Sequence, residues 1–220
     1  MRRGNFPVEI PRTDQQRVQN LSKQFNKLIN ENEYWEVTEK LHGSSATFYL
    51  KSDGEFVVCS RNINLKEDET NLYWKIAREQ QIEEKLKEYF LDYNTHDRYT
   101  PVAIQGEIIG EGINGNQYGI KGHDFYVFDI YLPELNRYAD PFVRKAIVEQ
   151  LRLKHVPFLD STEFSEFESI EQLLELAKGK SLLNGSIREG LVFKKSNQQS
   201  TLTVMSFKVI NNDWLEKVGD

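Results

Sequence analysis

Apolar positions change period several times along the chain, and each change marks an element. Val18, Leu21, Phe25 and Leu28 recur at helical spacing behind Thr13, a residue of capping type, so the pattern predicts an amphipathic helix over 13–29. From Tyr34 to Arg61 the period falls to two. EYWEVTE, ATFYLK and EFVVCS read as strands, and Ser52-Asp53-Gly54 makes the tight connection between the last two. Residues 70–90 carry Leu72, Ile76, Leu86 and Phe90 on one side of a long helix. Asp140-Pro141 supplies a cap and a first-turn proline for a helix to about Leu153, and another helix covers 168–178. Between and after them lie VAIQGEII, FYVFDIYL, EGLVFKK and LTVMSFKVI, apolar-rich runs of strand length. This order predicts an α+β fold with mostly antiparallel sheets flanked by helices. No repeat, low-complexity tract or linker interrupts it, so residues 1–220 read as a single domain, and the acidic run Asp160 to Glu175 as the solvated face of a loop and helix.

Composition removes several function classes. A 220-residue chain with 39% hydrophobic residues can fill one core. The single cysteine, Cys59, excludes an intramolecular disulfide and a thiolate zinc module; it reads as a core residue in a reducing, cytoplasmic protein. The N-terminal MRRGNFPVEI lacks the apolar run of a signal peptide, and no stretch is long enough to span a bilayer. A net charge of -6 argues against a uniformly basic surface, though not against a local basic groove. The notably basic stretch is Lys178 to Lys208, with Lys178, Lys180, Arg188, Lys194, Lys195 and Lys208.

Charged groups at strand ends carry the candidate chemistry. Lys40 ends one strand before His42-Gly43, Arg61 follows VVCS, Glu107 lies within IQGEII, Glu189 opens EGLVF, and Lys208 lies within SFKVI. Charges embedded in apolar strands need partners. Two arrangements satisfy that need equally well: a buried network in which Glu107 and Glu189 pair with Lys208 and Arg61, or a functional site.

Six segments in order, KLHGSS (40–45), CSRN (59–62), IQGEIIGEGI (104–113), FYVFDI (125–130), REGLVFK (188–194) and SFKVINN (206–212), resemble motifs I, Ia, III, IIIa, IV and V of the covalent nucleotidyltransferases. The His form of motif I, SFKVI at motif V, and SRN followed by a helix bearing Tyr73-Trp74 are similar to the ATP-dependent RNA ligases of the Deinococcus type and their phage relatives. The resemblance spans about Pro7 to Leu215. It implies the ATP-grasp-like adenylyltransferase domain of DNA and RNA ligases. It also implies a reaction: a lysyl-AMP intermediate, AMP transfer to a 5'-phosphate RNA end, and sealing to a 3'-OH.

The same resemblance implies roles. Lys40 is the nucleophile toward the α-phosphorus of ATP, and only a neutral amine attacks, so a second cation and a metal that disfavour the ammonium suit the site. Glu107 and Glu189 are hard oxygen donors for Mg²⁺, or Mn²⁺ in its place. Lys208 stabilises charge on the α-phosphate. Gly43 lets the backbone approach the nucleotide, and Arg61 contacts the ribose or the RNA end. Phe128 stacks on adenine, although alone it reads as a core phenylalanine. Glu39 approaches the adenine edge, with a solvent-facing strand residue as the alternative, and His42 orients the motif I turn.

Ser45 and Ser206 depart from the longer polar residues common at their positions. Twelve residues follow Lys208 and thirty-nine precede Lys40, so the expectation is a monomeric nucleotidyltransferase domain without an OB-fold or other appended domain. Its partner would be RNA, including nicked duplex. A DNA ligase or capping-type enzyme is disfavoured by the His-form motif I. A silent nucleic-acid-binding homologue is disfavoured by Lys40, Glu107, Glu189 and Lys208 occurring together.

Overall fold

In the computed structural model of the chain, residues 1–94, 98–198 and 205–218 are described. The strands are β1 (Arg2–Asn5), β2 (Tyr34–Lys40), β3 (Ser44–Leu50), β4 (Phe56–Ser60), β5 (Ile63–Leu65), β6 (Val102–Gly110), β7 (His123–Leu132), β8 (Arg137–Tyr138), β9 (Lys154–His155), β10 (Phe158–Glu163), β11 (Gly190–Lys195) and β12 (Ser206–Ile210). The α-helices are α1 (Phe25–Ile29), α2 (Leu72–Glu79), α3 (Ile82–Tyr89), α4 (Pro141–Gln150), α5 (Ile170–Ala177) and α6 (Asn212–Val218). A large sheet runs β1-β5-β4-β3-β6-β7-β8, with β9 beside β7, and a small one runs β10-β2-β11-β12. Every named strand pair is antiparallel except β7 with β9, in keeping with the α+β expectation.

Alternation along β3 explains how the large sheet is covered. Ala46, Phe48 and Leu50 enter the core that α2, α3 and α4 close with Trp74, Ile76, Ile82 and Ile147, while Tyr49 faces the other side, where Phe6 and Ile10 of the N-terminal segment cover it. Trp35, Val37, Phe193 and Phe207 of the small sheet pack under Phe25 of α1 and Leu173 of α5. Cys59 is fully buried, as expected. No helix among the described residues is long and apolar enough to cross a membrane.

Several predicted elements differ in form. The helix over 13–29 is a 3-10 turn at Val18–Leu21 followed by α1. Its apolar face is nevertheless buried as the pattern requires. Residues before Val18 stay extended because the chain binds across the site: the Lys208 N–H donates to the Gln16 carbonyl at 2.9 Å, and the Thr13 hydroxyl lies 2.7 Å from Ser45 Oγ instead of capping a helix. The helix over 70–90 is cut by Gln81, whose φ of 54° is left-handed, so that α2 and α3 both reach the same core. Asp140 precedes Pro141 of α4 but does not cap it; its carboxylate accepts from the Gln198 N–H at 2.7 Å. The acidic run contains the edge strand β10, paired with β2. In LTVMSFKVI the strand β12 is SFKVI, and residues 202–204 lie outside the described residues.

Candidate active site

The two sheets are joined at the candidate nucleophile. β2 of the small sheet ends at Lys40, and after a turn of only three residues the chain enters β3 of the large sheet at Ser44. Register supplies the neighbours. Lys40 lies opposite Gly190, next to Glu189, while Ser45 lies opposite Glu107 on β6, and Val192 lies opposite Lys208 on β12. A cavity of about 420 Å³ opens where the sheets meet, and all nine predicted site residues line it: Glu39, Lys40, His42, Gly43, Arg61, Glu107, Phe128, Glu189 and Lys208. That size is typical of small-molecule sites.

Lys40 Nζ donates to Glu189 Oε1 at 2.6 Å. Burial raises the Glu189 pKa, but the His42 ring 3.5 Å from Oε2 and the Lys40 charge outweigh it and hold the carboxyl below its usual range. Burial pushes Glu107 up to about 7, against the opposing effect of Lys40. Lys208 is moved down, first by burial and then by the neighbouring Lys40 charge. Arg61 pairs with Asp14 at the exposed rim, and neither Glu107 nor Lys208 makes an ion pair among the described residues. The alternative network, Glu107 and Glu189 with Lys208 and Arg61, is therefore not formed.

Two other readings are corrected, and the glycine gains a second cause. Gly43, which lines the cavity, is also required by β6: a Cβ there would stand 2.2 Å from the Ile108 carbonyl oxygen and 2.9 Å from Glu107 Cγ. Glu39 is not solvent-facing. It is 1% exposed, accepts from the Leu182 N–H at 2.8 Å, and burial raises its pKa. The basic stretch loses half its surface, since Lys194 pairs with Asp129 at 2.8 Å, Lys195 pairs with Glu31, and Arg188 donates to the carbonyls of Leu176, Ala177 and Lys178 at the C-terminal end of α5. All three are buried.

Phe128 is half-buried rather than a core residue, and a β-bulge is the reason. Gln105 pairs with Asp129 and Gly106 with Val127, so Phe128 is the extra residue in the ladder. Phe125, Val127 and Ile130 keep the helix-side core, and Phe128 packs with Tyr126 in a separate small cluster, where it lines the cavity. Lys194 Nζ donates to the Phe128 carbonyl and sits 5.4 Å from the centre of its ring.

The residues that hold the Lys40 turn are absent from the sequence reading. The His42 N–H donates to Tyr118 Oη at 2.8 Å, Asn114 Nδ2 donates to the Gly43 carbonyl at 2.9 Å, and Trp214 of α6 meets the His42 ring edge-on. A tyrosine in a loop and a tryptophan near the end of the chain carry no spacing signal. Only the Asn-Gly turn at 114–115 hinted at ordered backbone here.

No group of three or more His, Cys, Asp or Glu among the described residues is placed to hold a metal ion. Two carboxylates nevertheless suit a magnesium-type ion, which takes few protein ligands and completes its shell with water and phosphate oxygens. Glu189 Oε2 is buried without a hydrogen-bond partner closer than His42 Nδ1 at 3.5 Å, and Glu107 makes no ion pair among the described residues, so Glu107 and Glu189 fit that role.

Comparison with known proteins gives the same direction. The chain is similar to the Naegleria gruberi RNA ligase with PPi, at 42% identity and a TM-score of 0.87, covering 99% of this chain and 60% of that chain. Variants of that enzyme with ATP and Mn and with AMP and Mn match at 42% identity and a TM-score of 0.86, covering 99% and 98% of this chain and 60% of theirs. The chain thus spans about 60% of the length of the solved structures it matches. No curated protein matches. The RNA ligase family model matches residues 33–210, which include Lys40, Glu107, Phe128, Glu189 and Lys208, and the chain belongs to the RNA ligase family.

Proposed function

We propose that this chain is the nucleotidyltransferase part of an ATP-dependent RNA ligase. Lys40 Nζ attacks the α-phosphorus of ATP; the N–P bond forms as the bond to pyrophosphate breaks, and the amine gives up a proton. AMP then passes to an RNA 5'-phosphate, and attack by a 3'-OH seals the strand and releases AMP. The observation that carries this reading is the position of Lys40, hydrogen-bonded to Glu189 inside a cavity that also holds Glu107, Lys208 and Phe128.

Each remaining residue has work to do in that scheme. Phe128 offers a flat apolar surface to adenine, and Glu39, which lines the same cavity and whose Oε1 has no hydrogen-bond partner, is an acceptor for a base amino group. Lys208 balances the charge that develops on the α-phosphate. Arg61 exchanges Asp14 for an anionic substrate group at the rim. Glu107 and Glu189 would hold a divalent ion, Mg²⁺ or Mn²⁺, which when bound screens phosphate charge. The RNA partner carries 5'-phosphate and 3'-OH ends, in a nicked duplex that aligns them, and the protein acts as a monomer. A chain whose one cysteine is buried suits a reducing, cytoplasmic setting.

Incubation with α-labelled ATP and Mg²⁺ tests the reading. The expected result is one AMP per chain in an acid-labile, base-stable linkage, absent from Lys40→Ala and Lys40→Arg. Undiminished labelling of Lys40→Ala would overturn it.

A further inference from the structure

The segment after β12 closes a ring of contacts around the nucleophile turn. Asn211, fully buried, donates from Nδ2 to the Arg188 carbonyl at 3.0 Å and from its backbone N–H to the Glu189 carbonyl at 2.9 Å, so it brackets the residue that bears the carboxylate. Its Oδ1 accepts from the Asp213 N–H at 3.0 Å and so caps the first turn of α6. That cap sets the direction of Trp214. The indole is 7% exposed, donates its Nε1–H to Gln117 Oε1 at 3.0 Å, and meets the His42 ring with centroids 4.7 Å apart at an interplanar angle of 71°.

His42 is therefore held on three sides. Its backbone bonds Tyr118, its ring abuts Trp214, and its Nδ1 stands 3.5 Å from Glu189 Oε2. The other oxygen of that carboxylate accepts from Lys40. Remove the indole and the imidazole gains open space on the cavity side, because Trp214 is part of the cavity wall. The ring can then rotate away from Oε2, and the carboxylate that accepts from Lys40 loses the neighbour that borders its other oxygen. Gln117 completes the arrangement from the other side, since its Nε2 donates to the Ile187 carbonyl at 2.8 Å, two residues before Glu189.

We propose that Trp214 is a positioning residue for the reaction at Lys40, acting through His42 on the Glu189 carboxylate. The proposal rests on the reading of Lys40 as the adenylyl acceptor. A merely structural tryptophan would give losses that multiply with those of His42; a positioning one gives losses that do not, because both substitutions free the same carboxylate.

The experiment compares wild type, Trp214→Leu, His42→Ala and the double variant in single-turnover transfer of label from ATP. Trp214→Phe serves as the conservative variant, and the NMR signal of the His42 ring protons is a readout independent of activity. Trp214→Leu is expected to slow labelling at saturating ATP about tenfold with little change in the ATP requirement, and to add no further loss in the His42→Ala background. Trp214→Phe, which keeps a ring edge against His42, restores most of the rate, and the His42 signal moves in Trp214→Leu. A full tenfold further loss in the His42→Ala background, or a His42 signal that Trp214→Leu does not move, overturns the proposal. Should Trp214→Leu fail to fold, Trp214→Met, which fills more of the indole's space but offers His42 no ring edge, goes through the same cycle and decides by the same criterion. A wild type that takes no label overturns the Lys40 reading, and the proposal with it, by a distinct outcome.

Discussion

Glu107 is a carboxyl kept in a place that favours its protonated form. Its folded pKa of about 7 lies above the 4.5 of the unfolded chain, so folding takes up a proton between those values and stability falls as pH rises through that window. Above it the cost is constant, up to about 3 kcal/mol. Glu107→Gln should therefore raise the unfolding midpoint in chelator at pH 8 and narrow the difference at pH 4, while cutting adenylylation by an order of magnitude or more. Denaturant curves at the two pH values check the first half. Phe128→Ala should raise the ATP concentration needed for labelling more than it lowers the saturated rate, because stacking is made in both ground and transition states. Steady-state titration separates the two. The charged groups of the candidate site were legible because their types are unusual at strand ends; Tyr118 and Trp214 were not, because an aromatic residue that holds a backbone turn looks like one that fills a core.

At the level of elements, apolar periodicity located most of the long ones, and local backbone chemistry decided their true extent. The face of Val18, Leu21, Phe25 and Leu28 is buried as its spacing demands, yet the preceding residues give up helix to bond Lys208 and Ser45. Tertiary pairing overrode propensity there. Gln81 ends α2 in a left-handed conformation that no period could reveal, and Gln81→Gly should stabilise the fold by about 0.5–1 kcal/mol by relieving it. Asn71, whose side chain accepts from the N–H groups of Tyr73 and Trp74, is the N-cap of α2, and Asn71→Ala should cost about 1 kcal/mol. Thermal midpoints of the two variants, expected to move in opposite directions, test both. The strands β1, β5, β8 and β9 are short and β10 is largely polar, so they offered little alternation to detect.

For the whole molecule, half of the basic residues in the stretch from Lys178 to Lys208 are interior. Lys194 and Lys195 serve Asp129 and Glu31, so Lys194→Ala with Lys195→Ala should lower the unfolding midpoint and leave the slope of RNA affinity against salt unchanged. A shallower slope with an intact midpoint would place those side chains on RNA. The meeting of two sheets at the three-residue turn after Lys40 has a mechanical consequence. Lys40, Glu189 and Lys208 ride on or beside the small sheet, whereas Glu107 and Phe128 ride on the large one. An adenylate on Lys40 would be moored to one and clasped by the other, a strut across the seam, and the charged protein should resist prying apart at that seam better than the empty one.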